Sequence, residues 1–521
     1  MSARGPTNER GARRLRVGHA GPLPPAPSGI ADYAAELLPA LAEHVDLELY
    51  APPGLPAPAA GLARRFPVRP LAELAPRAAA GEVDLPLYQL GNHPRFHGAV
   101  YRALLEVPGV VVLHEHVLHH MLREITLVAG DPAGYADEMG YAYGRTGRAL
   151  ARRSVDTGVP LDPWSHPLFE RAVDAALGVV VHSQATRRRV LASRPGARVR
   201  VVPHHLSVGD GADAVTEAGA DLEAARAAAR GRLGLDPDAL LVGTFGYQNP
   251  AKRLPVLLRA FARLRADLER AGGPSPLLLV VGDVDRRVED ELGGAGLGEA
   301  VRRVGRVDDL GRFLDWMRAV DVAANLRWPT GGETSGTVVR LLGLGRPLVV
   351  TDAGAFAEIP DGCAAKVPPG EREEDLLAAY LGLLARDPEL RREMGEAARR
   401  HAAEHHALGA SARRYAEFLR EIHTARQSGA LALPRPPVAP LVPWPEDDLL
   451  TDLVVAVAAA AADLGVGSDE DDLLAPLAEA IVELGFDAVG PQRGAGTGRP
   501  DLAVRGRRDG PHVAAGAGGS R

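Results

Sequence analysis

Short apolar runs alternate with helical patterns along this chain, in two successive series, and few folds accept that alternation. LRVGHA, VDLELYAP, LPLYQLG, VPGVVVLHE, LGVVVHS and VRVVPHH read as strands of the first series, with helices such as GIADYAAELLPALAEH and QATRRRVLASR between them. A second series runs through LLVGTFGY, PLLLVVGD, VRRVGRV, VDVAANLR and RPLVVTD, separated by KRLPVLLRAFARLRADLERAG, LGRFLDWMRA and SGTVVRLLGLG. Strands that are apolar almost throughout, divided by helices, belong to parallel sheets covered on both faces. The expected fold is therefore α/β, with two Rossmann-like doubly wound domains facing a cleft. Ligands in such sheets lie outside the carboxyl ends of the strands.

The same reading divides the chain. Residues 1–207 form the first domain, interrupted by a helical insertion over 131–176. Residues 208–427 form the second, with final helices at 408–425 expected to pack back on the first. The stretch LALPRPPVAPLVPWP opens a Pro-rich linker, so 428–521 is expected to be linker followed by a helical and disordered tail.

Composition excludes several partners. The net charge is −7 and aromatics make up 4% of the chain, which gives no general attraction to nucleic acid and few platforms for stacking bases. Cys363 is the single cysteine, so no intramolecular disulfide can form, and a reducing compartment is expected. MSARGPTNERGARRLRVGHA has charge but no apolar run before the first strand, and LVVAVAAAAADLG is short and Ala-rich for a membrane span. The expected location is cytoplasmic. Basic residues are nearly all arginine, and the two lysines are Lys252 and Lys366.

The candidate chemistry gathers where strands give way to helices. In LRWPTGGETSGTVVRLLGLGRPLVVTD, Glu333 sits in a small-residue turn before an apolar helix. Free N–H groups at that helix start suit a phosphate, and a carboxylate beside them can accept hydrogen bonds from sugar or ribose hydroxyls. An acidic surface turn with a Ser or Thr cap explains the segment equally well. GTFGYQNPAKRLPVLLRAF places Lys252 and Arg253 at a helix start, where cations oppose the dipole and so point to an anionic partner such as a diphosphate. A solvated pair of charges is the plainer alternative. In HAGPLPPAPSGIADY, Ser28 and Gly29 open a helix at a loop where backbone can approach a ligand. His114 ends an apolar strand in VVLHEHVLHH; the spacing of its neighbours is not H-E-x-x-H and no cysteine supplements them, so no metal is expected. The DVD at 283–285 reads as a loop pair of aspartates.

PSGIADY, VVLHEH, VVVHS, VRVVPHH, FGYQNPAKR, LLLVVGD, GRVDDL and PTGGETSGTVVRLLGLGRPLVVTDAGAFAEI, in this order, resemble the retaining GT-B glycosyltransferases of family 4. The resemblance spans residues 15 to about 425. It implies a nucleoside-diphosphate-sugar donor in the interdomain cleft and a glycan, lipid-linked or small-molecule acceptor on the first domain. A lipid-linked acceptor would bring peripheral membrane contact. No cofactor or metal is implied. Glu333 then matches the first glutamate of the E-x7-E motif, which contacts the donor sugar. Lys252 matches the diphosphate lysine, and the backbone of Ser335, Gly336 and Thr337 would meet the diphosphate. His114 matches the histidine near the reacting sugar, Gly29 the glycine loop by the phosphate, and Val307 a backbone contact to the nucleobase. Two positions depart from the pattern. The second glutamate of E-x7-E falls on Leu341 by one count and on Arg340 by another, and the arginine often found after F-G is Tyr247, for which Arg253 is a candidate replacement.

The implied function is a retaining sugar transfer in polysaccharide, glycolipid or other cell-envelope synthesis. A non-catalytic GT-B protein that binds a nucleotide sugar or a partner is the alternative of another class, and a GT-B sugar-nucleotide epimerase is a third. The insertion 131–176, with its GYADEMGYAYGRTGRAL helix, is expected to bear on acceptor choice.

Overall fold

The computed structural model describes residues 13–206, 221–294 and 296–431. The expected tail, apart from its first residues, and the boundary expected at 207/208 lie outside the described residues.

In the first domain the strands are β1 (Arg16–Ala20), β2 (Asp46–Ala51), β3 (Val68–Pro70), β4 (Leu85–Leu90), β5 (Val110–Leu113), β6 (Gly178–Val181) and β7 (Val199–Val201). They pair in parallel in the order β3-β2-β1-β4-β5-β6-β7. In the second domain they are β8 (Leu240–Phe245), β9 (Pro276–Val281), β10 (Val301–Gly305), β11 (Val322–Asn325), β12 (Leu348–Thr351) and β13 (Ala365–Val367). That sheet is also parallel, in the order β10-β9-β8-β11-β12-β13. Strand order reverses between β1 and β4 and again between β8 and β11. Loops leaving these four strands therefore border the two crevices in which such sheets hold ligands.

Each sheet is buried on both faces, because successive side chains on a strand point to opposite sides. Leu85, Leu87, Val110 and Val112 enter one core of the first domain, and Tyr88, Leu90, Val111 and Leu113 enter the other. The second sheet divides in the same way, Leu241 and Phe245 to one side and Leu240 and Val242 to the other. In the helix Leu254–Arg270, Leu254, Leu257, Leu258, Phe261, Leu264 and Leu268 are buried, the spacing of one helical face. Of the three three-residue edge strands, β3 and β13 carry too little apolar sequence to be read in advance.

The chain crosses between the domains a second time near His406. There Leu206 N–H donates to His406 O at 2.7 Å, and His406 Nδ1 meets His204 O at 2.6 Å. The helix Leu408–Gln427 then lies on the first sheet. Its Tyr415, Phe418, Leu419 and Ile422 share a core with β4 and β5, and the Tyr415 and Tyr33 hydroxyls are 2.8 Å apart. Within 131–176, the helix Pro132–Thr157 breaks at Tyr143 and Gly144 (φ 65°, ψ −149°), and Glu170–Ala175 follows. Tyr141 donates to Asp174 Oδ2 at 3.0 Å, and Tyr143 Oη accepts the Leu168 N–H at 3.2 Å, so both hydroxyls serve the insertion's own packing.

Backbones approach closely at the carboxyl ends of β8, β9 and β10. Gly246 N–H donates to Val281 O and Gly282 N–H to Gly305 O, each at 2.8 Å. A Cβ on Gly282, whose φ is +127°, would stand 2.4 Å from Gly246 O. Gly282→Ala is expected to cost about 2–4 kcal/mol in urea unfolding. Among the described residues no helix is long and apolar enough to cross a membrane.

Candidate active site

Lys252 ends a single 3₁₀ turn, Pro250–Lys252, after β8. The turn is opened by Asn249, whose Oδ1 accepts the Lys252 N–H at 3.2 Å. The side chain then runs back beneath the strand end, where Nζ donates to Phe245 O at 2.7 Å and the residue is only 6% exposed. A Cβ on Gly246 would lie 3.3 Å from Nζ and 3.6 Å from Thr337 Oγ1, so the ammonium and that hydroxyl share the bare backbone of Gly246. Burial, and after it the Arg327 charge, bring the Lys252 pKa down to about 7, with Glu333 acting the other way. An ammonium held so close to losing its proton would regain it beside an anion.

Glu333 stands in the turn between β11 and the helix Gly336–Gly343. Arg327 Nη1 is 2.8 Å from its Oε1, and Thr330 Oγ1 donates to its Oε2 at 3.0 Å. Ser335 caps the helix, its Oγ accepting the Val338 N–H at 3.4 Å. The turn is docked on the first domain: His116 N–H donates to Gly331 O at 2.7 Å and Thr186 Oγ1 to Gly332 O at 2.9 Å. Gly332, at φ +79°, passes so near His116 that a Cβ would fall 2.4 Å from its Nδ1. Lys252, Thr337, Arg327 and Glu333 thus line one stretch of the cleft, cations beside the helix start and the carboxylate next to them.

From the first domain His114 reaches the same seam at the end of β5. His182 Nδ1 lies 2.8 Å from Val202 O, an acceptor, so His182 carries its proton there and offers a lone pair at Nε2. His114 Nδ1, 3.2 Å away, donates to that lone pair. This leaves His114 Nε2 as the acceptor, 2.7 Å from the Gln89 amide, whose nitrogen is otherwise buried without a partner. Turning that amide over gives both nitrogens a partner. Burial first, and then the neighbouring histidines, hold His114 neutral, its pKa well below the usual range. Ser28 caps the helix Gly29–Leu41, its Oγ accepting the Ile30 N–H at 3.3 Å, and nothing stands within 4 Å of where a Gly29 Cβ would be.

Arg253, Leu341, Arg340 and Tyr247 fall outside the sequence expectation or refine it. Arg253, expected to face a diphosphate, does not offer a free charge: its Nε lies 3.1 Å from Glu373 Oε2, and it pairs with that buried carboxylate. The two counts for the missing second glutamate separate, because Leu341 is fully buried in the core of the second domain while Arg340 faces the first. Arg340 Nη2 donates to Glu36 Oε1 at 2.6 Å, and Glu36 Oε2 lies 3.2 Å from His205 Nε2, a bridge across the cleft. Tyr247 is exposed and donates to Asp285 Oδ2 at 2.9 Å, which places Asp285 in a loop network with Arg287. Val307 is partly buried against the second core. Among the described residues no three of His, Cys, Asp or Glu are grouped to hold a metal ion.

Sequence reasoning missed Arg327, Glu115 and Asn325. Asn325 closes β11 at 1% exposure, with neither amide atom partnered. Glu115 follows His114, with Oε1 accepting the Asn92 N–H at 2.9 Å. A polar residue at, or two places past, the end of an apolar parallel strand was the available signal for all three.

Residues 236–386 match the sequence model of a family described as glycosyl transferases group 1. The D-inositol 3-phosphate glycosyltransferase of Streptomyces griseus subsp. griseus is 35% identical over 188 residues, 34% of this chain and 38% of that protein. The chain therefore matches about two fifths of the length of that curated relative. A second D-inositol 3-phosphate glycosyltransferase, from Streptomyces scabiei, is 28% identical over 375 residues, 64% of this chain and 81% of that one. Alr3699/HepE of Anabaena, solved in complex with UDP, superposes with a TM-score of 0.52 at 18% identity, over 78% of this chain and 100% of its own. The two parallel-sheet domains are a GT-B fold.

Proposed function

We propose that this chain is a retaining, metal-independent glycosyltransferase that moves a sugar from a nucleoside-diphosphate-sugar to a hydroxyl acceptor in the cytoplasm. One observation carries the reading: a buried ammonium, Lys252, lies beneath bare backbone beside Thr337 at a helix start, with Glu333 a turn away. The match of residues 236–386 to group 1 glycosyl transferases supports it.

Departure of a nucleoside diphosphate builds negative charge on the β-phosphate. Lys252, Arg327 and the N–H groups of Ser335, Gly336 and Thr337 would stabilise it. Glu333 would accept from hydroxyls of the transferred sugar, holding its anomeric carbon in register with the acceptor. With retention, the acceptor oxygen bonds to that carbon on the face the phosphate leaves, and the departing phosphate oxygen takes the acceptor proton. The relatives' name makes a phosphorylated cyclitol one acceptor to try, beside glycan and lipid-linked acceptors of the cell envelope.

The Arg340–Glu36 bridge favours a second reading, a GT-B protein that binds a nucleotide sugar without turning it over, since an arginine faces the cleft where a ribose-binding glutamate would be expected. A panel of UDP-, GDP- and dTDP-sugars, offered with and without inositol phosphate, separates the two. Transfer predicts nucleoside diphosphate release with one donor. A donor-induced thermal shift with no release under any condition would support the binding protein, and neither shift nor release would overturn both.

A further inference from the structure

Glu115 is a carboxyl that the first domain brings to the Glu333 turn. It stands two residues past the end of β5. Its Oε1 is fixed by the Asn92 N–H at 2.9 Å, which leaves Oε2 aimed at Gly331. An added Cβ on Gly331 would lie 3.4 Å from both Glu333 Oε2 and Val117 Cβ and 3.5 Å from Glu115 Oε2, so the two carboxyls, one from each domain, face the space beside the bare glycine. The contacts are of ordinary van der Waals length and Gly331 has no positive φ, so the glycine is not demanded by the backbone.

The two carboxyls are unlike. Glu333 is paired with Arg327 and receives the Thr330 hydroxyl, as an anion does. Glu115 is held protonated at neutral pH, its pKa pushed up to about 8 by burial and then by Glu333, with the Asn92 N–H and Arg327 opposing. His97, whose Nε2 borders Gly91 on the other side, is neutral there, its pKa lowered to about 4 by burial. A carboxylic acid can donate a hydrogen bond and a carboxylate can only accept. One hydroxyl satisfies such a pair by donating to the second and accepting from the first.

We propose that Glu115 is a specificity-determining residue for the donor sugar, which bridges a neutral hydroxyl of that sugar to Glu333 across Gly331. The inference rests on the donor-binding reading above and extends it to the class of sugar: a hydroxyl-bearing neutral hexose, with uronate donors turned away by the facing carboxylate. If Glu115 ionises, both groups only accept, a single hydroxyl can serve just one, and the sugar loses a contact.

The test compares each sugar nucleotide with its bare nucleoside diphosphate by calorimetry, using UDP and UDP-glucose or the corresponding GDP and dTDP pairs. The affinity ratio isolates the sugar from Lys252, which titrates in a neighbouring range. In the wild type the ratio should fall from about pH 7 to about pH 9, either side of the Glu115 value. Glu115→Gln, which keeps the Asn92 contact and stays neutral, should preserve the ratio and flatten that dependence. Glu115→Ala should lower the ratio about tenfold, and Gly331→Ala, which fills the gap, should do the same without weakening bare diphosphate. UDP-glucuronate should bind no better than UDP. A ratio untouched in both alanine variants, with diphosphate still bound, overturns the role of Glu115 and leaves the donor reading standing. Failure of every nucleoside diphosphate to bind overturns the donor reading, and this inference with it.

Discussion

Lys252→Met is expected to cut release of nucleoside diphosphate from the donor steeply and, at or below about pH 7, to raise the melting temperature of the free protein. The two effects share one cause. Burial lowers the Lys252 pKa from 10.5 to about 7, so the folded chain holds this proton less tightly than the unfolded chain does. Between those values the unfolded state binds more protons and stability climbs with pH; below about 7 the cost of charging the buried amine is present in full. At about 1.4 kcal/mol per pKa unit that cost reaches a few kcal/mol. Methionine removes it while forfeiting the 2.7 Å bond to Phe245 O, for a net gain of roughly 1–3 kcal/mol. Transfer should fall about a thousandfold or more, since the lost cation faces charge that builds only as the diphosphate leaves. A bound diphosphate raises the Lys252 pKa again, so calorimetry in two buffers at about pH 8 should show proton uptake by the wild type and none by the variant. A lower melting temperature with donor affinity intact would make Lys252 a strut of the fold and nothing more.

The doubly wound sheets were legible because β4, β5, β6 and β9 are apolar on both faces, and only a parallel sheet covered on both sides buries such strands. Lys252 drew notice for a compositional reason: in a chain that uses arginine almost everywhere, a lysine at a strand end stands out. Arg253 misled because a KR dipeptide says nothing of partners remote in sequence. Its φ of 56° turns it away from the helix it precedes, and Glu373, 120 residues on, takes its charge. Glu115 escaped notice because HEHVLHH draws the eye to histidines. His119, between His166 O and the Tyr135 hydroxyl, proves to hold the packing, and the carboxyl beside His114 gains its meaning only when the second domain sets Glu333 opposite. A single domain's sequence cannot disclose a pair that two domains assemble.

Glu333→Gln should separate sugar from phosphate. Transfer falls about a thousandfold, because the contact to the sugar is one that tightens as charge shifts off the anomeric carbon. Affinity for bare nucleoside diphosphate holds or rises a few-fold, because Arg327 loses the carboxylate that now neutralises it at 2.8 Å and its charge turns to the ligand. The glutamine carbonyl still accepts from Thr330, so the turn keeps its inner hydrogen bond and melting temperature moves little. Glu115 moves as well. Glu333 is the second cause of its raised pKa, so in the variant Glu115 ionises at lower pH, and the pH at which the sugar's share of affinity fades should shift down with it. Loss of diphosphate affinity in step with transfer would mean that Glu333 acts by shaping the turn. Retained diphosphate with the sugar increment reduced would place Glu333 at the sugar, opposite Glu115, where the two domains meet over Gly331.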